Sequence, residues 1–223
     1  MIVMVTLTQV KDSVLVQQYM KMGNEFIGNM GAIEHNIEHA ELTSELCRDI
    51  LITLGYPDRE AELGAIAGYL HDIGNLVNRY GHGMSGALIA FNILLDMGMD
   101  PAEIATIMGA IGNHEEQAGG HCVNNVAAAL ILADKSDVHR SRVRKGDFAA
   151  FTSRDRVNYA VTESGINVDA ANKRITMSIT IDTSVCSVME YFEIFLTKML
   201  MSRRAAQHLG CEFELLINDY KLL

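Results

Sequence analysis

The chain has 223 residues, a formal net charge of -10 and a pI near 5.2. That length allows one domain, or one domain with a small appendage, and 49% hydrophobic residues without tryptophan leave Ile, Leu, Val, Met and Ala to build an ample core. The acidic balance argues against a non-specific nucleic-acid binder, which needs a cationic face to displace counterions, but leaves room for a small phosphorylated substrate.

Taken in chain order, Thr8 is a candidate cap for a first helix carrying Val10, Val14 and Leu15. After the Gly-rich GNMGAIEH, a second helix is predicted over residues 33–54, with Leu42, Leu46 and Ile50 at steps of four. Gly55 then Pro57 should end it. A third helix is expected over 58–73, stopping at Gly74, and a fourth over 82–97, closed by Gly98. Asp100-Pro101 followed by Glu103 combines a cap, a first-turn proline and an early acid, and starts a fifth helix carrying Ile104, Ile107, Met108 and Ile111. A sixth covers 123–139.

The pattern changes near residue 145, and strands are predicted from Val157 onward. In RITMSITID, Ile175, Met177, Ile179 and Ile181 alternate with polar residues at a period of two. NYAVTESGINV is the expected partner, joined through DAANK. A long helix over 185–209 carries Val188, Phe192, Phe195 and Met199, Gly210 ends it, and CEFELLIN is a last strand. The fold class expected is mainly α, a helical bundle over 1–145, with a small C-terminal α+β appendage (β-β-α-β) over 146–223. There is no repeat and no low-complexity segment.

The four cysteines, Cys47, Cys122, Cys186 and Cys211, are widely spaced without a CxxC and read as reduced core thiols. MIVMVTLTQV lacks the charged start and cleavage site of a signal peptide. No apolar run approaches the roughly 20 residues of a bilayer span; VAAALILA ends in Asp134. A cytoplasmic protein without membrane or nucleic-acid partners is expected.

The polar residues on apolar faces carry the chemistry. His35 and His39 are four apart, and His39, Leu42 and Leu46 follow at helical spacing. His71 comes one after Leu70, His114 three after Ile111, and Asp134 four after Leu130. Taken singly, such groups are more often hydrogen-bonded core residues or caps. Several together inside a helical bundle are what a divalent metal stabilises, because carboxylates balance its charge and imidazoles supply nitrogen donors.

A helix-borne His39 in HAELTSELCRDILITLG, the adjacent His71-Asp72 in IAGYLHDIGN and the distant Asp134 in LILADKSD resemble the HD-domain superfamily of metal-dependent phosphohydrolases. The resemblance covers about residues 30–140 and implies an HD-domain helical bundle in which these four residues hold a first metal. His82 in YGHGMSGA and His114 in AIGNHEE match the extended form seen in dinuclear members. Either His35 or His39 fits the first ligand position. The distance to His71 and the Leu54-Gly55 ending select His39, leaving His35 as a supporting group, a substrate contact or an extra ligand.

The implied cofactor is one or two divalent ions (Mn, Fe, Ni, Zn or Mg), with Asp72 bridging two. Metal-activated water would then hydrolyse a phosphomonoester or phosphodiester of nucleotide type. Asp72, His35, Glu115 and Asp137 are the candidate catalytic groups. Glu115 also reads as a solvated helix end, and Asp137 as an ordinary hydrogen-bonding carboxylate. The basic run KSDVHRSRVRKGD offers Lys135 and Arg140 as phosphate contacts. GHGMSG lacks the GK[ST] ending of a Walker loop.

Two other functions fit the same pattern. One is an HD-fold di-iron oxygenase; the other is a non-catalytic nucleotide-sensing module that signals through the tail. The tail itself reads as a lid or a homodimerisation element, its Met-rich KMLMSRR as core.

Overall fold

The computed structural model describes residues 2–116 and 119–223. It opens with α1 (Leu7–Asp12) and α2 (Val14–Asn29). Thr6, rather than Thr8, caps α1 through a reciprocal box with Gln9, and Ser13 caps α2. The single helix expected here is therefore two. The break sends Val10 and Val16 into the core and leaves Val14 exposed.

Helix α3 (Ile37–Thr53) starts later than the spacing predicts, because Asn36 caps it by accepting the His39 N–H. His35 thus precedes the helix and does not share a helical face with His39. The buried face runs through His39, Ala40, Thr43, Ser44, Cys47, Ile50 and Leu51, while Leu42 is exposed. The expected leucine stripe is rotated because α3 packs through its small residues. On α4 (Asp58–Leu70), a Cβ added at Gly68 would stand 2.9 Å from Ser44 Cα and from the Thr43 carbonyl oxygen. Only a glycine there lets the two backbones come so close.

Helix α4 ends at Leu70 rather than Ile73, and a short 3-10 helix, Ile73–Leu76, follows. The chain has to turn at this point to admit α5 (His82–Asp96), since a Cβ on Gly74 would collide with the His82 carbonyl. Helix α6 (Pro101–Gly112) begins as the sequence suggests, with Asp100 accepting from the Ala102 N–H and Pro101 in the first turn. Helix α7 (Asn125–Ser136) is shorter than expected, with Asn124 as its cap. From Val126 to Ala133 every residue is buried. A helix apolar all round belongs in the interior, and α7 touches α3, α4 and α6 on one side and the C-terminal elements on the other.

The tail carries a helix, α8 (Ser153–Ala160), whose second half, from Val157, the sequence reading gave to strand. A capping box between Thr152 and Asp155 nucleates it. Strands β1 (Val161–Asp169) and β2 (Arg174–Ile181) pair antiparallel, with Ile166 opposite Met177. Helix α9 (Val188–His208) then crosses to β3 (Glu212–Ile217), which pairs parallel to β2, and β4 (Tyr220–Lys221) adds a short antiparallel edge. Ile175, Met177, Ile179 and Ile181 all face the core, as their alternation requires. On α9 the buried residues include Tyr191, Phe195 and Met199, and the helix packs on both α7 and β3.

The architecture is thus mostly helical with a small C-terminal sheet and helix. Cys47, Cys186 and Cys211 are buried free thiols and Cys122 is partly buried. Among the described residues, no helix is long and apolar enough to cross a membrane.

Candidate metal centre

Five helices bring polar side chains to one point. His39 comes from the first turn of α3, His71 caps the C-terminus of α4, and Asp72 follows it. His82 opens α5, His114 follows the end of α6, and Asp134 sits in the last turn of α7. Close contact between glycine and backbone sets the spacing: a Cβ at Gly83 would lie 3.0 Å from the Ile111 carbonyl, so α5 and α6 bring His82 and His114 together.

The donor atoms form two sets. His39 Nε2 and His71 Nε2 are 3.2 Å apart, and Asp72 Oδ2 lies 3.5 and 3.1 Å from them. Asp134 Oδ1 stands 3.5 Å from His39 Nε2 and 3.7 Å from His71 Nε2. On the other side, His82 Nε2 and His114 Nε2 are 3.0 Å apart, and Asp72 Oδ1 is 3.2 Å from His82 Nε2. Asp72 therefore presents one oxygen to each set.

The outward ring nitrogens decide what the inward ones are. His71 Nδ1 lies 2.7 Å from the Gly68 carbonyl, His114 Nδ1 2.6 Å from that of Ile111, and His82 Nδ1 3.0 Å from that of Arg79. A carbonyl only accepts, so each of these nitrogens donates its proton. His39 Nδ1 points at Asp137 Oδ2, 2.6 Å away. With the protons held outward, four Nε2 lone pairs face one another and the Asp72 carboxylate. Asp72 Oδ2 is buried without a hydrogen-bond partner among the described residues. Such an arrangement of bare acceptors is satisfied by cations, and outward Nδ1–H bonds are the usual support of a metal-binding imidazole. The donor chemistry, nitrogen with carboxylate oxygen, suits a divalent transition metal. Donor atoms of His39, His71 and Asp134, and of His71, Asp72 and His114, also lie close enough together to share an ion.

Without metal, the carboxylates draw protons instead. Burial opposes charge on His71, but Asp72 and then Asp134 overcome it and raise the imidazole to about 10. Burial likewise works against the Asp72 carboxylate, and the raised His71 imidazole overcomes it, holding the carboxyl well below its ordinary range. His114 goes the other way: burial, then His82 and His71, push it down to about 3, so it stays a neutral donor.

The remaining predicted residues take distinct places. Asp137 lies behind His39 and pairs with Arg142 at 3.3 Å. Glu115 is buried rather than solvated: it accepts from the Gly81 and Gly83 N–H groups at the start of α5 and lies 3.4 Å from His82 Nδ1. His35 lines the cavity over the donor sets, its Nδ1 2.8 Å from the Ile33 carbonyl. Lys135 also lines the cavity, but its ammonium is engaged by Asp134 at 2.5 Å and Glu116 at 2.9 Å. Arg140 lies away from the cavity, over the Tyr159 ring and 3.9 Å from Asp182.

The sequence reading missed three cations at the cavity: Arg79, Arg154 and Lys198. Arg79 shows no motif beyond its position in NRYGH, just before His82. Arg154 and Lys198 come from α8 and α9, where no spacing links them to the histidines. The void among these walls, open mouth included, is about 510 Å³.

Compared with known protein families, residues 33–140 match the HD domain. No curated protein matches the chain.

Proposed function

We propose, from the match of residues 33–140 to the HD domain, that the chain is a metal-dependent phosphohydrolase acting on a phosphomonoester or phosphodiester of nucleotide type. HD-domain proteins are generally metal-dependent phosphohydrolases, and the His/Asp groups here are able to hold a metal. The observation that carries the reading is the two donor sets joined through Asp72, with four Nε2 lone pairs turned inward.

His39, His71, Asp72 and Asp134 would hold one ion, and Asp72, His82 and His114 a second. Ions bound there acidify a water and withdraw charge from a phosphoryl oxygen. The protein's own groups divide the remaining work. Asp137 and Glu115 stand behind imidazoles and fix them, so they act by positioning. His35 belongs to neither donor set yet lines the cavity. Burial pushes its pKa well down and keeps the imidazole neutral. In this reading His35 is the proton-transfer group.

The test pairs two measurements on the full chain, wild type beside Asp72→Ala. Plasma mass spectrometry should find one or two equivalents of transition metal in the wild type and none in the variant. Phosphate release from a panel of nucleotides should follow the metal. No bound metal even after reconstitution overturns the reading. Metal with oxygen uptake, a mixed-valent iron EPR signal and no phosphate release would replace hydrolysis by oxygen chemistry.

A further inference from the structure

The cavity above the donor sets is not built by the HD-domain segment alone. Arg154 comes from α8 and Lys198 from α9, and both face the same void as Arg79, Asp72 and His35. Their placement is held by one ring. The Arg154 guanidinium lies 5.7 Å and the Lys198 ammonium 4.5 Å from the centroid of the buried Phe195. Arg79 stands over the His82 ring, its Nη1 3.4 Å from both ring nitrogens.

Charge balance shows what these three cations lack. Among the described residues, Arg79, Arg154 and Lys198 form no ion pair within 4.0 Å, whereas the neighbouring Lys135 takes up Glu116 and Asp134 and Arg142 takes up Asp137. Four carboxylates line the cavity (Asp72, Glu115, Glu116 and Asp134) beside five Lys or Arg side chains, of which Arg142 is already matched by Asp137. Two of those carboxylates face the donor sets. Loading metal adds positive charge to a chamber that already has unmatched cations. Burial lowers Lys198 to about 8, and it lowers Arg154 as well, with Arg79 adding to the effect. Cations gathered without carboxylate partners in a partly dry chamber are stabilised by an anion, and guanidinium groups match phosphate oxygens in pairs.

The chamber also has an outlet. A second void of about 870 Å³, open solvent included, shares His35, Arg79 and Arg154 with the first and continues outward past Tyr80, Met30 and Thr152. Tyr80 and Met30 are exposed, at 73% and 57%.

We propose that the C-terminal module completes the site: Arg154 and Lys198, with Arg79, grip the phosphate of an organic phosphate ester whose organic part lies in the groove beside Tyr80. This rests on the donor sets being the metal centre of the proposed phosphohydrolase. It assigns to the tail a substrate-binding role and makes the isolated segment 33–140 an incomplete site.

The test reads binding, not turnover. Full-length wild type, Arg154→Gln, Lys198→Met and the double variant are loaded with Mn, their metal content is measured, and inorganic phosphate is titrated calorimetrically. Exposed Arg203→Gln on α9 is the control. We expect unchanged metal content and melting temperature in every variant. Phosphate affinity should fall at least ten-fold in each single variant and further in the double, with Arg203→Gln unaffected. Adenosine 5′-monophosphate should bind the wild type more tightly than inorganic phosphate does, and Tyr80→Ala should remove that surplus alone. Phosphate binding within two-fold of wild type in the double variant overturns the proposal, as does a wild type that binds no phosphate. Phosphate bound through these residues by a protein that hydrolyses no ester supports the proposal while sinking the hydrolase reading, so the two fail separately.

Discussion

Asp137 Oδ2 accepts the Nδ1 proton of His39 at 2.6 Å, although the two residues come from different ends of the HD-domain segment. The contact fixes which nitrogen of His39 faces the centre. Asp137 is itself held by Arg142, whose Nη1 also donates to the Asp137 carbonyl and whose Nε donates to the Glu34 carbonyl. Asp137→Ala frees the His39 ring to turn and to donate inward. Loss of such a supporting carboxylate weakens metal binding by about 10–100-fold. The expected outcome, by competition with a metal-sensitive dye, is weakening of one of two ions, the one on His39. Equal loss of both, or of neither, would show that Asp137 does not act through His39.

Metal uptake should release protons. In the metal-free chain His71 is raised to about 10, against burial, by Asp72 and Asp134, and His39 and His82 are also raised. A raised folded pKa stabilises the metal-free fold most fully below the unfolded value of about 6.5. That contribution is lost as pH rises through the folded pKa. Metal needs the same nitrogens unprotonated. Its apparent affinity should therefore climb between pH 6 and 9, and calorimetry at pH 7 in buffers of different ionisation enthalpy should report net proton release. Uptake, or no proton change, contradicts this.

Removing the metal should also lower stability, since an ion binding only the folded chain stabilises it by mass action, about 4 kcal/mol at 1,000 times its Kd. For a chain of this size that is about 10 °C in Tm. A chelator that leaves the melting temperature unchanged would mean the donor sets hold nothing in the purified protein.

Much of this centre was legible because its residues lie on helices with strong local signals. His71-Asp72, His82 and His114 sit beside glycines and helix ends that the sequence marks clearly, and all six predicted ligands converge. What was hidden depended on contacts between distant segments. The face of α3 was misread because Leu42 is apolar yet exposed, while Thr43 and Ser44 are polar yet buried under Gly68. Ser44 is satisfied there by donating to the Ala65 carbonyl, a partner no periodicity reveals. The second half of α8, from Val157, was read as strand because eight residues are too few for a helical period to stand out, though the Thr152–Asp155 box was present to be seen. Lys198 reaches the cavity because α9 packs on α7, and Arg154 because α8 packs in turn on α9. Arg140, chosen for its place in a basic run, points along the tail instead.

Lys135 illustrates the difference between lining a cavity and serving its ligand. Its ammonium sits between Asp134 and Glu116, and both carboxylates are largely buried. Burial works against its charge, but Asp134 and Glu116 outweigh it and raise the pKa above the ordinary range. Lys135→Met would strand both carboxylates. Removing one partner of a buried pair costs about 3–5 kcal/mol, roughly 10 °C in Tm for a chain of this size. Asp134 also faces the metal donors, so saturating Mn should recover part of the loss. Calorimetric melts with and without metal check this; a variant as stable as wild type without metal would mean that the pair contributes nothing.

Gly68 holds the centre together in two ways at once. Its missing side chain lets α4 lie against the Thr43–Ser44 backbone of α3, and its carbonyl accepts the Nδ1 proton of His71. Gly68→Ala forces the helices apart at the turn that sets the distance between His39 and His71. Overpacking of this kind costs about 1–3 kcal/mol. The control is Gly165→Ala in β1, where an added Cβ meets nothing within 4 Å. Gly68→Ala should lower Tm and weaken metal binding together, whereas Gly165→Ala should leave binding untouched. If Gly68→Ala destabilised the fold but bound metal as wild type does, the α3–α4 approach would be a packing feature with no bearing on the donor geometry.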